Sequence, residues 1–342
     1  MEKENPLLTY IILSACILFL IFWYMIDTDI IPNITTAETK QLNKTKVIGT
    51  WLWKNPDEIS KAGTLKLLDF AAENDINTVY VSIDKYIYLH ELKEGDEKDK
   101  KLESFNSSVG YFIRESNKRG IKVEALIGNN RWSEENLSYI PQVVLEYIKD
   151  YNNLNPEAKF AGLQLDIEFY NKEGLKDPVK EGMEFLTLLK NLTDKIKELK
   201  SAKENKDFRF GTTVPFWFDE KSQSIPIEGG SAKPILYHIF DILNETEDSY
   251  IVIMAYRNFT SGWNGSISIS EKEVDYSSKE NLKVKVIVGQ ETAENEVKKI
   301  TYFGKSKSSF LASLNRIIKH FEGYSGFEGI AIHHLESFSK MR

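Results

Sequence analysis

Eight short apolar runs, separated in most places by amphipathic segments, constrain the fold of this chain more than any other feature. The apolar runs cover residues 47–51, 78–83, 122–127, 162–168, 209–214, 250–255, 284–288 and 329–333. The amphipathic segments cover residues 56–74, 109–119, 140–151, 178–199, 235–243 and 307–320. The first pattern predicts buried strands and the second predicts helices between them. Eight such units predict an α/β fold, the (β/α)8 TIM barrel.

A doubly wound sheet is the alternative fold for alternating strands and helices. Sheets of that kind carry a glycine-rich, phosphate-binding loop after the first strand. The corresponding stretch here, residues 49–53, reads Gly-Thr-Trp-Leu-Trp and is aromatic. A single barrel commonly contains about 200–250 residues, so one barrel with insertions accounts for residues 47–342 of the 342-residue chain.

The overall charge argues against a nucleic-acid partner. The formal net charge is −7 at pH 7 and the pI is about 5.5, whereas surfaces that bind nucleic acid carry clustered Lys and Arg. No run of Lys and Arg with interleaved aromatic residues occurs in the sequence. We therefore predict no nucleic-acid partner.

Residues 7–26 contain no charged side chain and are long enough to cross a hydrocarbon core of about 30 Å. They predict a transmembrane helix, preceded by a short segment at 1–6 and followed by a linker at 27–46 that is rich in Thr, Asn and Lys. A cleaved signal peptide has a shorter apolar region and a small-residue cleavage site. Lipoprotein processing at Cys16 is the alternative, although apolar residues continue well beyond that cysteine.

The charges that flank the apolar segment give the predicted orientation. Lys3 is offset by two neighbouring glutamates, while Asp27 and Asp29 follow the segment. This distribution places the C-terminal domain outside the cytoplasm, as a single-pass membrane protein. Because Cys16 is the only cysteine, the outer domain has no disulfide and must be stabilised by its core.

The predicted fourth strand carries two acids. Residues 163–168 read Leu-Gln-Leu-Asp-Ile-Glu, and a strand sends alternate side chains to opposite faces, so Gln164, Asp166 and Glu168 share one face. The Cα atoms of the two acids lie about 6.5 Å apart in a strand. Neighbouring buried carboxyls either share a proton or hold one acid neutral, because a buried charge without a partner is costly. This pattern predicts an acid and its helper inside a site.

Aromatic residues, acids and amides are concentrated at or near the predicted strand ends, where a barrel has its active site. Aromatic faces cover the C–H side of a sugar ring, and fixed polar groups meet its hydroxyls. The composition therefore predicts a carbohydrate substrate. The predicted substrate-binding residues are Trp51, Trp53, Asp84, Asn129, Trp132, Gln164, Tyr170, Trp217, Arg257, Glu291 and His333.

Two short motifs resemble those of family 18 glycoside hydrolases, the chitinase-like barrels. Residues 161–168, Ala-Gly-Leu-Gln-Leu-Asp-Ile-Glu, resemble that family's strand-four signature, Asp-Gly-x-Asp-x-Asp-x-Glu. Met-Ala-Tyr at 254–256 resembles the strand-six Met-x-Tyr. The resemblance implies that Glu168 is the general acid, that Asp166 orients the N-acetyl group of the substrate, and that Tyr256 donates a hydrogen bond to that group.

The sequence departs from the family pattern at three positions. Ala161 and Gln164 replace the first two Asp residues of the signature, and Arg257 replaces the Asp that usually follows the strand-six Tyr. If the substrate's own acetamido oxygen is not the nucleophile, a second carboxylate must come from another strand. Asp84, Glu291 and Glu336 are the candidates for that role.

We predict neither a metal nor a cofactor. His333, His334 and Glu336 offer metal-ligand chemistry together with Asp84 or Glu291. Adjacent histidines on a strand point to opposite faces, however, so at most one of them faces the barrel mouth. The chain has no Gly-x-Ser-x-Gly elbow, and its one cysteine lies in the apolar segment.

Two functions are consistent with the sequence. The first is a membrane-anchored glycoside hydrolase that acts on an N-acetylated or related cell-surface polysaccharide. The second is a catalytically inactive barrel that binds glycans or a partner in the cell envelope, which the missing Asp residues at positions 161 and 164 favour. The fold does not distinguish them, because barrels support many functions.

Overall fold

The computed structural model describes residues 42–226 and 232–342. Eight parallel strands form a closed barrel, in which consecutive barrel strands pair and the last pairs with the first. The strands are β1 (Val47–Leu52), β2 (Thr78–Ser82), β3 (Lys122–Ile127), β4 (Gly162–Leu165), β5 (Arg209–Pro215), β6 (Ser249–Met254), β7 (Lys285–Glu291) and β8 (Phe327–His333). The predicted α/β barrel is confirmed.

Helices connect the barrel strands and cover the outside of the barrel. They are α1 (Lys61–Glu73), α2 (Lys85–Glu91), α3 (Asp96–Asn117), α4 (Tyr139–Leu154), α5 (Pro178–Lys200), α6 (Ile235–Leu243), α7 (Glu271–Lys279), α8 (Lys307–Phe321) and α9 (Leu335–Phe338). Side-chain caps fix several starts. Ser60 accepts a bond from the Gly63 N–H at 3.1 Å before α1, and Asp177 accepts one from the Lys180 N–H at 3.0 Å before α5. Such caps satisfy backbone donors that the first helical turn leaves unpaired.

The predicted N-terminal segments fall largely outside the described residues. Segment 1–6, the apolar segment 7–26 and the linker as far as residue 41 are among the residues that the structure does not describe. In the parts of the chain that it does describe, no helix combines the length and the apolar character needed to span a membrane. The end of the predicted linker, residues 42–46, contacts the barrel: Leu42 is buried, and the Thr45 hydroxyl donates to the Glu328 carbonyl at 3.0 Å.

Two separate apolar cores position the strands. The larger core lies between the strands and the surrounding helices and contains Leu163, Leu165 and Ile167. The smaller core fills the barrel and contains Trp51, Tyr80, Leu126, Tyr250 and Ile287, among others. Because side chains alternate along a strand, Gln164 on β4 lies on the opposite face from Leu163 and Leu165, and this face looks into the barrel.

A buried ionic network closes the barrel at the N-terminal ends of its strands. The Arg209 guanidinium donates to Glu124 at 2.9 Å and to both oxygens of Glu328 at 3.1 and 2.8 Å. The Tyr250 hydroxyl donates to the other oxygen of Glu124 at 2.6 Å, and Lys46 approaches Glu328 at 2.6 Å. Burial alone would raise the pKa of Glu328, but its bonds from Arg209 hold that pKa below the ordinary value. The network gives each buried carboxylate a cationic partner.

Several predicted boundaries and loops differ from the observed ones. The fourth strand ends at Leu165 rather than at Glu168, because the chain turns into a 3-10 helix at Phe169–Asn171. The charged run 91–101, which lies in none of the predicted helices, ends α2 and begins α3. The connection after the sixth strand contains the helix Glu271–Lys279, for which no helix was predicted. In the connection after the fifth strand, Ser224–Ile225 and Lys233–Pro234 pair as short antiparallel strands.

Candidate functional site

A cavity of about 460 Å³ opens at the C-terminal ends of the barrel strands. Every barrel strand except β2 contributes residues to its lining, either at its end or just beyond it. The lining residues are Trp51, Trp53, Gly128, Asn129, Asn130, Asp166, Glu168, Asn171, Thr213, Met254, Tyr256, Glu291 and His333. The three predicted catalytic residues thus lie together in this cavity, along with the predicted binding residues Trp51, Trp53, Asn129, Glu291 and His333.

Glu168 is held by two side chains of the turn that follows it. The Tyr170 hydroxyl donates to Oε1 at 2.8 Å, and the Asn171 amide donates to Oε2 at 2.6 Å. Both donors lie in the 3-10 helix Phe169–Asn171, so the end of the strand and the position of the carboxyl are set by the same local turn. Burial and the charge of Glu168 keep the pKa of the Tyr170 hydroxyl far above its ordinary value, and this hydroxyl therefore remains protonated.

Asp166 lies beside Glu168 with its own partner from the neighbouring strand. The Thr213 hydroxyl on β5 donates to Asp166 Oδ1. Burial, with the nearby charge of Glu168, raises the pKa of Asp166 to about 6, although the Thr213 bond acts in the opposite direction. Asp166 therefore exchanges its proton near neutral pH, as expected for one member of a pair of neighbouring carboxyls.

Tyr256 contributes its hydroxyl from beyond the end of β6. Burial and the charges of Glu291, Asp166 and Glu168 raise the pKa of this hydroxyl well above its ordinary value. The side chain therefore stays protonated and can donate a hydrogen bond into the cavity.

Trp53, His333 and Glu291 form a hydrogen-bonded chain across one side of the cavity. The indole N–H of Trp53 donates to His333 Nε2 at 2.8 Å. His333 Nδ1 lies 2.7 Å from Glu291 Oε2, and the backbone N–H of Ala293 donates to Glu291 Oε1 at 2.6 Å. Of the predicted alternatives for a second carboxylate, Glu291 is thus in the cavity. Glu336 is not in the cavity lining and pairs with Lys54 at 2.7 Å.

Asp84 lies behind the cavity wall rather than in it. The backbone N–H of Gly128 donates to its carboxylate, and the charge of Asp166 reaches it. Burial, with that charge as a smaller contribution, raises the pKa of Asp84 to about 6. Gly128 separates the two acids, and a Cβ at that position would lie 2.7 Å from the Asp166 carbonyl oxygen. Only glycine permits this close approach.

Asp84→Asn is expected to stabilise the protein at neutral and alkaline pH. The folded-state pKa of about 6 exceeds the ordinary value of 3.8, so the wild type loses stability as the pH rises through that interval. Asn keeps an acceptor for the Gly128 N–H and does not ionise. The gain in free energy of unfolding should reach about 1–3 kcal/mol at pH 8 and vanish near pH 4. Urea unfolding at both pH values measures it, and an Asn variant no more stable than wild type at pH 8 would contradict it.

The remaining predicted binding residues lie outside the cavity lining. Trp132 is buried in the outer core, and Trp217 packs edge-on against Tyr170 with ring centroids 5.1 Å apart. Gln164 is fully buried, and no described residue hydrogen-bonds either end of its amide. Arg257 donates to the Tyr256 carbonyl at 2.7 Å and to Asn264 at 2.9 Å. These contacts make Arg257 a connection between the end of β6 and the loop that follows.

The predicted site residues did not include five residues of the cavity, namely Gly128, Asn130, Asn171, Thr213 and Met254. Asn171 had a usable signal, since it follows Glu168 by three residues and one helical turn brings such positions together. Thr213 had none, because its contact with Asp166 depends on the pairing of β4 with β5.

The cavity lining is acidic. It includes Asp166, Glu168 and Glu291 and contains no Lys or Arg. Among the described residues, no three His, Cys, Asp or Glu side chains are grouped so that they could hold a metal ion. The lining offers carboxyls, amides, hydroxyls and two indole rings, which are the groups that meet the hydroxyls and C–H faces of sugars.

No protein-family model matches the sequence, and no curated protein matches it. Similar solved structures include a class V chitinase from Nicotiana tobaccum, with 12% identity, 85% of this chain and 94% of that chain covered, and a TM-score of 0.49. A GH18 chitinase from Cycas revoluta in complex with (GlcNAc)3 shows 12% identity, coverage of 85% and 95%, and a TM-score of 0.48. An endo-beta-N-acetylglucosaminidase from Cordyceps militaris shows 14% identity, with 85% of this chain and 82% of that chain covered, and a TM-score of 0.47.

Proposed function

We propose that this chain is a glycoside hydrolase that acts on an N-acetylated or related cell-surface polysaccharide, with Glu168 as general acid and Asp166 as its helper. The observation that carries the proposal is the convergence of Glu168, Asp166 and Tyr256 in one cavity beside Trp53. These are the residues that match the family 18 motifs in the sequence. Cleavage of a glycosidic bond needs a proton for the leaving oxygen and stabilisation of the positive charge at the anomeric carbon.

The bonds to Glu168 indicate which oxygen carries the catalytic proton. The Asn171 amide donates to Oε2, and that oxygen therefore acts as an acceptor. Oε1 is the oxygen that can bear the proton: the Tyr170 hydroxyl 2.8 Å away donates to the ionised carboxylate, and it can turn to accept from the protonated one. In the proposed reaction, Oε1 gives its proton to the glycosidic oxygen.

Asp166 and Tyr256 are suited to an acetamido group on the sugar. The carboxylate of Asp166 would accept the acetamido N–H, and the Tyr256 hydroxyl would donate to the acetamido oxygen. Held in this way, that oxygen attacks the anomeric carbon as the leaving oxygen takes the proton. The nucleophile then belongs to the substrate, and no second protein carboxylate is required.

An inactive glycan-binding protein is the second candidate function. Two observations favour it: both oxygens of Glu168 are occupied by partners in its own turn, and Gln164 stands where the motif has an acid. In that case the cavity would hold a sugar without cleaving it.

Incubation with N-acetylglucosamine oligosaccharides tests the proposed function directly. The full-length protein in detergent should shorten them, as followed by mass spectrometry, and the first-formed product should retain the anomeric configuration by proton NMR because two successive inversions occur. An inverted product would contradict attack by the acetamido group. Measurable binding without any cleavage would support the second function.

We also propose that the apolar segment 7–26 anchors the protein in a membrane, with the barrel outside the cytoplasm. The full-length chain should stay with the membrane pellet after carbonate washing, while a chain that starts at Lys46 should be recovered without detergent. An accessibility assay on intact cells, with protease added outside, should degrade the barrel. Recovery of intact full-length protein in the soluble fraction would contradict the anchor.

A further inference from the structure

Hydrogen bonds restrict the movement of three side chains in the cavity, Trp53, His333 and Glu291. The indole N–H of Trp53 is 2.8 Å from His333 Nε2, and His333 Nδ1 is 2.7 Å from Glu291 Oε2. The other oxygen of Glu291 accepts from the Ala293 N–H at 2.6 Å. Both nitrogens of the imidazole and both oxygens of the carboxylate therefore already have protein partners. Neither nitrogen of the imidazole is therefore left free for a substrate.

The direction of these bonds fixes the protonation of His333. An indole N–H can only donate, so His333 Nε2 must accept and carries no hydrogen. A neutral imidazole has one hydrogen, which is then on Nδ1 and is donated to Glu291. The observed geometry thus requires neutral His333.

We propose that His333 and Glu291 are positioning residues that hold Trp53 as a stacking wall for a sugar ring and release it when His333 gains a second proton. That a sugar stacks on Trp53 depends on the proposed function. We call the side chains of Trp53, His333 and Glu291 the relay, and the relay depends only on the three hydrogen bonds described above. The second proton would have to bind Nε2, where two N–H groups would face each other across the 2.8 Å contact.

Trp53 is able to respond, whereas its neighbour Trp51 is not. Trp51 is 1% exposed and packs against Tyr80 inside the barrel. Trp53 is only partly buried and lines the cavity. Once its N–H loses the acceptor on His333, the indole is free to turn toward solvent. A sugar would then lose its aromatic contact.

The charged and titratable groups around His333 come from several elements. Glu291 on β7 contacts it directly, Asp166 at the end of β4 interacts with it by charge, and His334 follows it in the chain. The Tyr256 ring is 6.1 Å away between centroids. Asp166 also gains a proton on acidification, since its pKa is about 6. A test must therefore remove the histidine while leaving Asp166 in place.

Fluorine NMR of the full-length protein labelled with 5-fluorotryptophan provides that test. The Trp53 resonance is assigned by its loss in Trp53→Phe. In the wild type it should shift when the pH is lowered, because a second proton on His333 removes the acceptor of the Trp53 N–H. In His333→Gln the shift should be clearly smaller, because Gln offers one acceptor and one donor but does not gain a proton, and only the effect of Asp166 remains. A Trp53 resonance that stays fixed in the wild type, or moves equally in both proteins, would overturn the proposal.

Sugar affinity gives a second readout that survives poor folding of one variant. The Glu168→Gln protein prevents turnover, and its Kd for an N-acetylglucosamine oligosaccharide should rise about 3- to 10-fold on acidification, the size of one aromatic contact. When either His333→Gln or Trp53→Phe is added to Glu168→Gln, the part of the acid dependence that comes from His333 should disappear. An unchanged acid dependence in both would overturn the relay. If no oligosaccharide binds at any pH, the proposed function fails, and the fluorine step still decides whether the relay exists.

Discussion

Glu168→Gln is expected to lower the hydrolysis of an N-acetylglucosamine oligosaccharide by about 10²–10⁴-fold, the usual contribution of a general acid. The amide preserves the local turn: its oxygen can accept from Asn171, and its NH2 can donate to the Tyr170 hydroxyl, which lie 2.6 and 2.8 Å from the native carboxylate. It has no proton to give to the leaving oxygen. Thermal stability and sugar affinity should therefore change little while kcat falls.

Glu336→Gln is the matched control for this substitution. It removes a carboxyl near the same end of the barrel, where Glu336 pairs with Lys54 outside the cavity lining. Its kcat should stay within about twofold of wild type, because an exposed ion pair contributes little. Wild-type cleavage that persists undiminished in Glu168→Gln would show that another group is the acid. If the wild type and Glu168→Gln bind the sugar equally and neither cleaves it, the binding function would be established instead.

Arg209→Met should be among the most destabilising substitutions in the chain, with a loss of about 3–5 kcal/mol in the free energy of unfolding. Arg209 supplies the bonds that pair Glu124 and Glu328 inside the barrel, at 2.8–3.1 Å. Methionine fills similar space but leaves two buried carboxyls without that cation. Lys46 still reaches Glu328, yet its side chain is 65% exposed and it does not contact Glu124. Urea unfolding at pH 7 measures the loss.

Arg119→Met is the control for Arg209→Met. Arg119 pairs with Asp69 and Glu115 at 2.7 and 3.1 Å, and Asp69 is 57% exposed. Water can replace the lost partner there, so the cost should stay below about 1 kcal/mol. At pH 4 the loss in free energy of unfolding caused by Arg209→Met should be smaller, because the carboxyls left without Arg209 inside the barrel take up protons. Equal costs for the two substitutions would show that the buried network is not what stabilises this end of the barrel.

The strand pattern could be predicted from sequence because the strands of this barrel are buried on both faces. Runs such as residues 122–127 match the observed strand Lys122–Ile127 without correction, and the apolar helix Ile235–Leu243 was also predicted at its true bounds. In both cases the local sequence and the tertiary environment favour the same structure. The fourth strand was predicted too long because alternation continues to Glu168 although pairing with β3 and β5 ends at Leu165.

The principal error of the sequence prediction was that it missed helices without a strong apolar stripe. The start of α3 is rich in Asp, Glu and Lys, which the periodicity of apolar residues does not register. It is stabilised by polar contacts instead: the Lys98 ammonium reaches the His90 carbonyl at 2.8 Å, and Lys101 pairs with Glu97 at 2.7 Å. The same reason applies to Glu271–Lys279, whose first turn is acidic.

In the candidate site, residue types were predictable but partners were not. The acids of the fourth strand and the tyrosine after the sixth are recognisable from short motifs, and the structure brings them into one cavity. Thr213 and the backbone of Gly128 act through contacts between strands, which depend on register. The hydrogen bond between His333 and Glu291 likewise joins residues of two different strands.

The attachment of residues 42–46 to the barrel has a mechanical consequence. Leu42 is buried, Thr45 bonds the Glu328 carbonyl at 3.0 Å, and Lys46 pairs with the Glu328 carboxylate at 2.6 Å. A pull on the chain at residue 41 would meet these contacts first and would then load β1 along its length. Because β1 is paired in parallel with both β2 and β8, its removal must shear two hydrogen-bonded ladders at once. The barrel is thus built to resist tension that enters from its N-terminal side.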